Sequence, residues 1–297
     1  MSAVLPKPLV GAEAAPWVLA AVGFAAMYLP SYWAAAHGIW NSEDFGHGPI
    51  VLAVAVWLFW SVREQLVAAR PLGSPSALAW SLLALGVSLY IFGRAFGISS
   101  AEFLSQPIVV ASILLLLRGA GALRAAWFPV LYLIFMVPLP GTLVDLLTGP
   151  LKQGISVVIT EFMHALGYPI ARSGVMITIG QYQLLVADAC SGLHSLFSLS
   201  ALGTLFMYIM GRQNRWHNTW MLASIIPIAL ISNGVRVIVL VLVTYHFGDE
   251  AGQGFVHGAA GMVLMLVALV FFFALDALLA RLLPEKPTGP SVAPLGH

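Results

Sequence analysis

The chain has 297 residues, of which 60% are hydrophobic and only 8% are charged. An ordinary soluble domain carries about 25% charged residues, so this composition excludes a soluble globular enzyme. Thirteen lysines and arginines against twelve aspartates and glutamates leave a net charge of +1. This balance excludes nucleic acid as a partner, because no basic surface could displace counterions from a phosphate backbone. The composition therefore predicts an all-α polytopic integral membrane protein surrounded by membrane lipid.

Apolar windows of about 20 residues predict eight transmembrane helices. They lie at 16–36, 48–62, 76–93, 99–117, 126–140, 191–210, 219–246 and 258–280. The N-terminal stretch lacks the pattern of a cleaved signal peptide, so we expect the first helix to remain in the protein. The sequence predicts a single membrane-embedded domain over 1–283 and a disordered cytoplasmic tail over 284–297.

The distribution of positive charge predicts the orientation of these helices. With eight helices, nine lysines and arginines fall in loops on one side, namely Lys7, Arg63, Arg70, Arg118, Arg124, Arg212, Arg215, Arg281 and Lys286. The loops 37–47 and 247–257 on the other side contain acidic residues and no lysine or arginine. Because positively charged short loops stay in the cytoplasm, we expect both termini to be cytoplasmic.

The long extracytoplasmic loop 141–190 is not a simple membrane span. Its first half, about 142–166, is apolar around much of its circumference but contains Pro150 and charged residues, which indicates a broken, interfacial helix. Its second half has two short β-rich runs around a Gly-Gln turn, which predicts a β-hairpin at 175–186. We expect this hairpin to lead directly into the sixth helix.

Arg236 lies near the middle of the seventh predicted helix. An arginine in this position costs roughly 2.5–3.5 kcal/mol on insertion scales and usually faces a cavity or a partner. The alternative is a structural arginine bonded to helix carbonyls, and the sequence leaves both interpretations open. Asn233, about one turn earlier, shares the same helix face and could orient the guanidinium.

Cys190 is the only cysteine and precedes the sixth predicted helix. A lone membrane cysteine is usually a small buried hydrophobic residue. The junction Asp188-Ala189-Cys190-Ser191-Gly192 instead predicts a sulfur near a helix N-terminus, where unpaired N–H groups stabilise a thiolate. Asp188 is either the N-cap of that helix or part of an active site.

His257 precedes the eighth predicted helix on the same side of the membrane. The topology was predicted from loop charges alone, yet it places Cys190, Arg236 and His257 at the same face and at similar depth. These residues are the parts of a cysteine acyl-transfer site, namely a nucleophile, a base and a cation for the thiolate or the oxyanion. The remaining histidines lie at interfaces or span ends, where no function is needed.

A metal site is the rival use of histidine and cysteine. The nearest candidate pair is Cys190 with His194, four residues later on the same helical face. A metal site needs three or four ligands, and the sequence contains no H-x-x-x-H, H-E-x-x-H or C-x-x-C motif. The sequence therefore predicts no metal and no other cofactor.

From about residue 30 to residue 280, the sequence resembles the exosortase/archaeosortase family of multi-spanning membrane transpeptidases. The resemblance is carried by SEDFGHGPIVLAVAVWLFW, Pro138 to Pro140, VADACSGLHSLFSLSALG, IPIALISNGVRV and GFVHGAAG. ACSG, followed by N-x-x-R and later by His, is a specific combination. The stretch ADACSGLHSLFSLS is most similar to the exosortase B subgroup.

The resemblance implies a cysteine transpeptidase in the inner membrane of Gram-negative bacteria, with its active site at the periplasmic face. Its substrates would be secreted proteins with a C-terminal PEP-CTERM signal, and an unknown acceptor nucleophile would resolve a thioester. The catalytic Cys, Arg and His proposed for the family match Cys190, Arg236 and His257. Many members have Glu in place of Asp188 and Arg in place of His194, and either difference could alter substrate choice.

Two other functions are compatible with the sequence. The first is a transport or assembly factor for exopolysaccharide, in which Arg236 lines a substrate path and Cys190 has no chemical role. Inverted repeats or paired broken helices would support a transporter, and the sequence has neither. The second is a hydrolytic intramembrane protease that uses the same thiol and differs only in accepting water.

Overall fold

The computed structural model describes residues 11–42, 45–69, 77–185 and 192–283. This part of the chain is mostly helical and contains one small antiparallel sheet. The chain divides into two compact units, Met1–Gly141 and Thr142–His297. A single domain over 1–283 stays a prediction, and the predicted tail 284–297 lies outside the described residues.

In the described ranges, every regular element of the first unit is a helix. Its helices are α1 (Gly11–Ala36), α2 (Gly48–Ser61), α3 (Arg63–Ala68), α4 (Ala77–Phe96), α5 (Ser99–Ala125) and α6 (Trp127–Tyr132). Glycines allow α4 and α5 to pack closely: a Cβ atom at Gly86 would lie 2.7 Å from Cγ2 of Val109. A larger side chain at this position would push the two helices apart.

A buried polar network joins α1, α4 and α5 in the first unit. The carboxylate of Glu102 is 7% exposed, accepts a hydrogen bond from Ser31 and lies 3.3 Å from Nη1 of Arg94. The hydroxyl of Tyr28 lies 2.7 Å from Oγ of Ser105. Because a charge inside an apolar helix pair is costly unless it is paired, these bonds fix the three helices against one another.

The second unit combines helices with the sheet. Its elements are α7 (Gly141–Ala165), β1 (Ile170–Ser173), β2 (Met176–Ile179), β3 (Tyr182–Leu185), α8 (Gly192–Met210), α9 (Arg215–Phe247), α10 (Asp249–Gly258) and α11 (Ala260–Leu282). The strands are antiparallel in the order β1-β2-β3, with Ile170 opposite Ile179 and Met176 opposite Leu185. The predicted hairpin is therefore confirmed, and β1 adds a strand that the sequence did not predict.

Helix α9 has one continuous buried face that contributes to two apolar clusters. One cluster packs the sheet and α7 against its second half, through Ile159, Met163, Ile170, Ile177, Ile179, Leu184, Val237, Leu240 and Val241. The other packs α8 and α11 against its first half, through Leu199, Phe206, Met221, Ile225, Ile228, Ala229, Leu264, Ala268, Phe272 and Leu279. Within a membrane, close packing rather than removal from water stabilises such contacts. Because α9 contributes residues to both clusters, it is the central helix of the second unit.

Within the ranges that the structure describes, five helices are long and apolar enough to cross a membrane. They cover Ala15–Asn41, Ala77–Phe96, Ser99–Ala125, Arg215–Phe247 and Gly261–Leu282. Three further apolar helices are shorter, at Gly48–Ser61, Trp127–Met136 and Phe197–Met210. All eight predicted windows thus overlap a helix, and in five of them this helix is long enough to span a membrane.

One prediction for the second unit was wrong. The break predicted within 142–166 is absent, because α7 is helical from Gly141 to Ala165. Pro150 removes only the bond to the carbonyl of Leu146, and both residues lie on the exposed side of the helix. The predicted connection 247–257 contains a short helix, α10, which the sequence analysis did not address.

A charged cluster joins the first residues of α9 to the last turns of α11. Asp276 accepts two hydrogen bonds from Arg212, the shorter 2.7 Å long, and a third from Nε2 of His217 at 2.9 Å. Asp276 and His217 are buried, with 6% and 1% of their surface exposed. This cluster holds the two helices in antiparallel register.

Replacing Asp276 with Ala is expected to lower the free energy of unfolding by about 3 kcal/mol, because His217 and Arg212 lose their shared acceptor. Asp276→Asn keeps an oxygen for His217 and should cost less. Thermal unfolding of the purified protein in detergent measures both variants. Equal and negligible losses in the two variants would contradict a structural role for the cluster.

Candidate active site

The buried face of α9 is polar rather than apolar near the middle of the helix. Ser232, Asn233 and Arg236 lie between the two apolar clusters, and Asn233 and Arg236 are each only 6% exposed. The spacing of three to four residues places all three on one stripe of the helix. Arg236 therefore faces the interior of the second unit, a position that fits both interpretations from the sequence, the functional and the structural arginine.

Two polar atoms on this stripe have unused hydrogen-bonding capacity. Oδ1 of Asn233 and Oγ of Ser232 are buried and have no hydrogen-bond partner among the residues that the structure describes. Buried polar side-chain atoms are nearly always bonded, and an exception calls for an explanation such as catalysis or ligand binding. The two atoms mark the surroundings of Arg236 as a candidate site.

Two contacts set the level of the following helices relative to Arg236. His217 bonds to Asp276 near the start of α9, and Gly252 of α10 packs against Thr244 near its end. Both contacts require α10 and α11 to run antiparallel to α9, and each residue advances about 1.5 Å along a helix. Counting from these two contacts, position 257 lies opposite residues 236 to 239 of α9.

A third contact sets the level of α8. A Cβ atom at Gly203 would lie 3.1 Å from Cγ1 of Ile225, and a short turn after Met210 makes α8 and α9 an antiparallel pair. The number of residues from Gly192 to Gly203 equals the number from Ile225 to Arg236. Helix α8 therefore begins at the level of Arg236.

The predicted site residues differ in what the structure describes of them. Asp188, Cys190 and Ser191 lie outside the described residues, in the segment 186–191 between β3 and α8. His194 and His257 lie in α8 and α10, and their side chains are outside the description as well. Arg236 and Asn233 are described and buried together.

Both ends of the segment 186–191 adjoin α9. Leu184 of β3 belongs to the apolar cluster that contains Val237, and α8 packs along the first half of α9. The chain thus leaves the sheet from the cluster that contains Val237, the residue after Arg236, and returns at Gly192, at the level of Arg236. Gly192 and position 257 accordingly share the level of Arg236 along α9.

Asp276 and His217 were not identified from the sequence as important residues. An aspartate within an apolar helix is a signal for a partner or a function, and this signal was available in the eighth predicted window. Their cluster lies at the start of α9, about five turns before Arg236, and serves the packing of helices. Within the described ranges, no group of three His, Cys, Asp or Glu residues could hold a metal ion.

The helices of spanning length define a multi-pass membrane protein. Over residues 39–274 the chain matches the family model described as Transmembrane exosortase (Exosortase_EpsH). This match covers most of the chain, so the protein belongs to the transmembrane exosortase family, which implies a transpeptidase-like enzyme. Comparison with curated proteins and with solved structures gives no significant match. The match does not distinguish subgroups, and the B subgroup stays a prediction.

Proposed function

We propose that the protein is a membrane-embedded cysteine transpeptidase that cleaves PEP-CTERM signals of secreted proteins and transfers these proteins to an acceptor. The observation that carries the proposal is the common level of Gly192, Arg236 and position 257 in the second unit. Family membership supports the reaction class. No observation of the described residues favours exopolysaccharide transport.

In the proposed reaction, the thiolate of Cys190 attacks the carbonyl carbon of the scissile peptide. The C–N bond then breaks, the leaving amine takes a proton from His257, and a thioester remains on Cys190. The acceptor nucleophile attacks this thioester and passes its proton to His257, the C–S bond breaks, and the thiolate of Cys190 is regenerated. The charge of Arg236 stabilises the thiolate or the tetrahedral oxyanion.

Asp188, Ser191, His194 and Asn233 have supporting roles in this proposal. Asn233 precedes Arg236 by about one turn on the buried stripe, which suits a residue that orients the guanidinium. Asp188 and Ser191 flank the nucleophile, and His194 follows it by four residues. Differences from the family at Asp188 and His194 would affect substrate choice rather than the chemical steps.

The proposal includes the predicted orientation in the bacterial inner membrane. Eight crossing helices with cytoplasmic termini place the thiol at the periplasmic face, where an exported substrate presents its signal. The substrate's own membrane anchor confines it to the bilayer, which raises its effective concentration at the site. The short helices at Gly48–Ser61, Trp127–Met136 and Phe197–Met210 would complete the eight crossings.

The thioester provides the direct test. Because the chain has one cysteine, a thioester can form at Cys190 alone. Mixing purified full-length protein with a tail-anchored PEP-type substrate should give a mass adduct equal to the cleaved substrate, and hydroxylamine should remove it. His246→Ala serves as the control, because His246 is an exposed histidine near the end of α9. Cleavage that continues while no adduct forms, under conditions that trap a thioester, would contradict the proposal.

A further inference from the structure

The sheet of the second unit has an edge strand, β3, that is paired along one side only. Strand β2 lies between β1 and β3, and no strand among the described residues lies on the other side of β3. The N–H and C=O groups of an edge strand that point away from the sheet are a template for a further strand. The open edge of β3 is therefore a candidate surface for an extended peptide.

The register of the strands determines which backbone groups of β3 face outward. The Gly180-Gln181 loop has two residues, so Ile179 and Tyr182 form a hydrogen-bonded pair. Bonded and non-bonded pairs alternate along antiparallel strands. The next pair, Thr178 with Gln183, is therefore a non-bonded one. The N–H and C=O groups of Gln183 accordingly point away from β2, towards the open edge.

The two edges of the sheet differ in how they are protected against pairing. Gln183 is exposed, and neither its N–H nor its C=O group has a backbone partner in the part of the chain that the structure describes. The other edge strand, β1, contains Arg172, and charged residues commonly prevent pairing at an edge. Strand β3, with the sequence Tyr-Gln-Leu-Leu, has neither a charge nor a proline. Of the two edges, that of β3 is therefore the better template.

Strand β3 runs along α9 towards the level of Arg236. A Cβ atom at Gly248, just after α9, would lie 3.7 Å from the hydroxyl of Tyr182 at the start of β3. Leu184, near the end of β3, belongs to the apolar cluster that contains Val237, the residue after Arg236. A peptide that pairs with β3 would therefore extend along the second half of α9 towards the level of Arg236.

The length of α9 places the sheet outside the hydrocarbon core of the membrane. The 33 residues of α9 correspond to about 50 Å, whereas the core is about 30 Å thick. Arg212 and Arg215, at the start of α9, favour the membrane surface, so the excess length lies at the other end, beside the sheet. Open sheet edges do not occur in contact with lipid chains. The position of β3 at the surface is compatible with an open edge and gives a peptide access to it.

We infer that an extended segment of the substrate adds a fourth strand to the sheet at β3, bonded to the N–H and C=O groups of Gln183. Cys190 is the fifth residue after the end of β3, so this pairing holds the substrate on the part of the chain that leads to the nucleophile. The inference rests on the proposed function and deepens it, because it specifies the surface that binds the signal.

The PEP signal is compatible with this pairing in one register. In Pro-Glu-Pro, the glutamate alone has a backbone N–H group. Alternate residues of a strand direct their backbone groups to the same edge. When the glutamate faces β3, both prolines therefore have their missing N–H groups on the side away from β3, where proline is tolerated. Pairing then depends on the amide of the glutamate.

Binding of N-methylated peptides tests the pairing. Full-length Cys190→Ala protein in detergent binds without cleaving, and the anisotropy of a fluorescent, tail-anchored PEP-type peptide measures Kd. A methyl group on the glutamate amide removes the N–H that faces β3 and should raise Kd about 5- to 30-fold. A methyl group on the third residue before the glutamate modifies an amide that faces away from β3, and Kd should stay unchanged.

A pair of proline variants in the same background tests the protein side. Gln183→Pro removes an outward N–H of β3 but no bond of the sheet, and Kd should rise by a similar factor. Arg172→Pro is the matched control, because the N–H of Arg172 faces outward at the opposite edge, and its Kd should stay unchanged. Thermal unfolding checks both variants, and the methylated peptides remain decisive if Gln183→Pro fails to fold.

The outcomes separate this inference from the proposed function. Equal Kd values for the two methylated peptides would overturn the inference, even if wild-type protein forms a thioester at Cys190. Equal weakening by folded Gln183→Pro and Arg172→Pro would also overturn it, because the effect would then not be specific to β3. Failure of wild-type protein to form a thioester with a peptide that binds in the expected pattern would contradict the proposed reaction and leave the pairing established.

Discussion

Cys190→Ala is expected to reduce cleavage of a PEP-type substrate by at least about 10⁴-fold, because loss of the nucleophile removes the covalent route. Cys190→Ser should also be inactive, since a hydroxyl in a site arranged for a thiolate is a far weaker nucleophile. The measurement follows the size of a tail-anchored substrate on a gel in membranes that contain equal amounts of each variant. Cleavage at an unchanged rate by Cys190→Ala would leave the cysteine without a chemical role, and the transport or assembly function would then take precedence.

Labelling of the same cysteine provides the control for folding and orientation. A membrane-impermeant maleimide should modify wild-type protein in intact spheroplasts, and Cys190→Ala should remain unmodified because no other thiol exists. Modification only after the membrane is broken would contradict the periplasmic placement of the site. His246→Ala should retain both cleavage and labelling.

Those parts of the fold that depend on local sequence could be predicted. Apolar windows locate the long helices, because a run of about 20 apolar residues has no other stable location than lipid. The hairpin follows from its turn, where Gly180 has a φ of 56° that other residues rarely adopt. Strand β1 could not be predicted in this way, because its pairing of Ile170 with Ile179 depends on the neighbouring strand.

Tertiary packing decides whether α10 forms. The segment of α10 contains several glycines, which lower intrinsic helix propensity. Gly252 instead lies so close to Thr244 that no side chain would fit between the two helices. The small residue that weakens the isolated helix thus permits the contact that stabilises it.

The candidate site shows the same division between local and long-range information. The residue types at Cys190, Arg236 and His257 and their common side of the membrane could be predicted from motifs and loop charges. The common level of Gly192, Arg236 and position 257 could be predicted only coarsely, because it depends on contacts between distant residues such as His217 and Asp276. Burial of Arg236 also depends on both apolar clusters of α9, which bring together residues from six other elements.

Arg236→Ala is expected to lower kcat by about 10²–10³-fold, the usual loss when one donor that stabilises an oxyanion is removed. Arg236→Lys keeps the charge but loses the planar arrangement of donors, so a smaller loss is expected. KM should change little in both variants if the guanidinium acts mainly on charge that develops in the transition state. Initial rates of cleavage at several substrate concentrations, normalised to folded protein, measure the two constants separately.

Arg212→Ala is the matched control, because Arg212 lies at the opposite end of the second unit and bonds to Asp276 through two of its nitrogens. Its loss should lower the unfolding temperature and leave kcat per folded molecule unchanged. The comparison separates chemistry from stability, since Arg236 is buried and its replacement also disturbs packing. If both variants lose activity only in proportion to the folded fraction, Arg236 is a structural arginine, and the cation of the proposed site must be sought elsewhere.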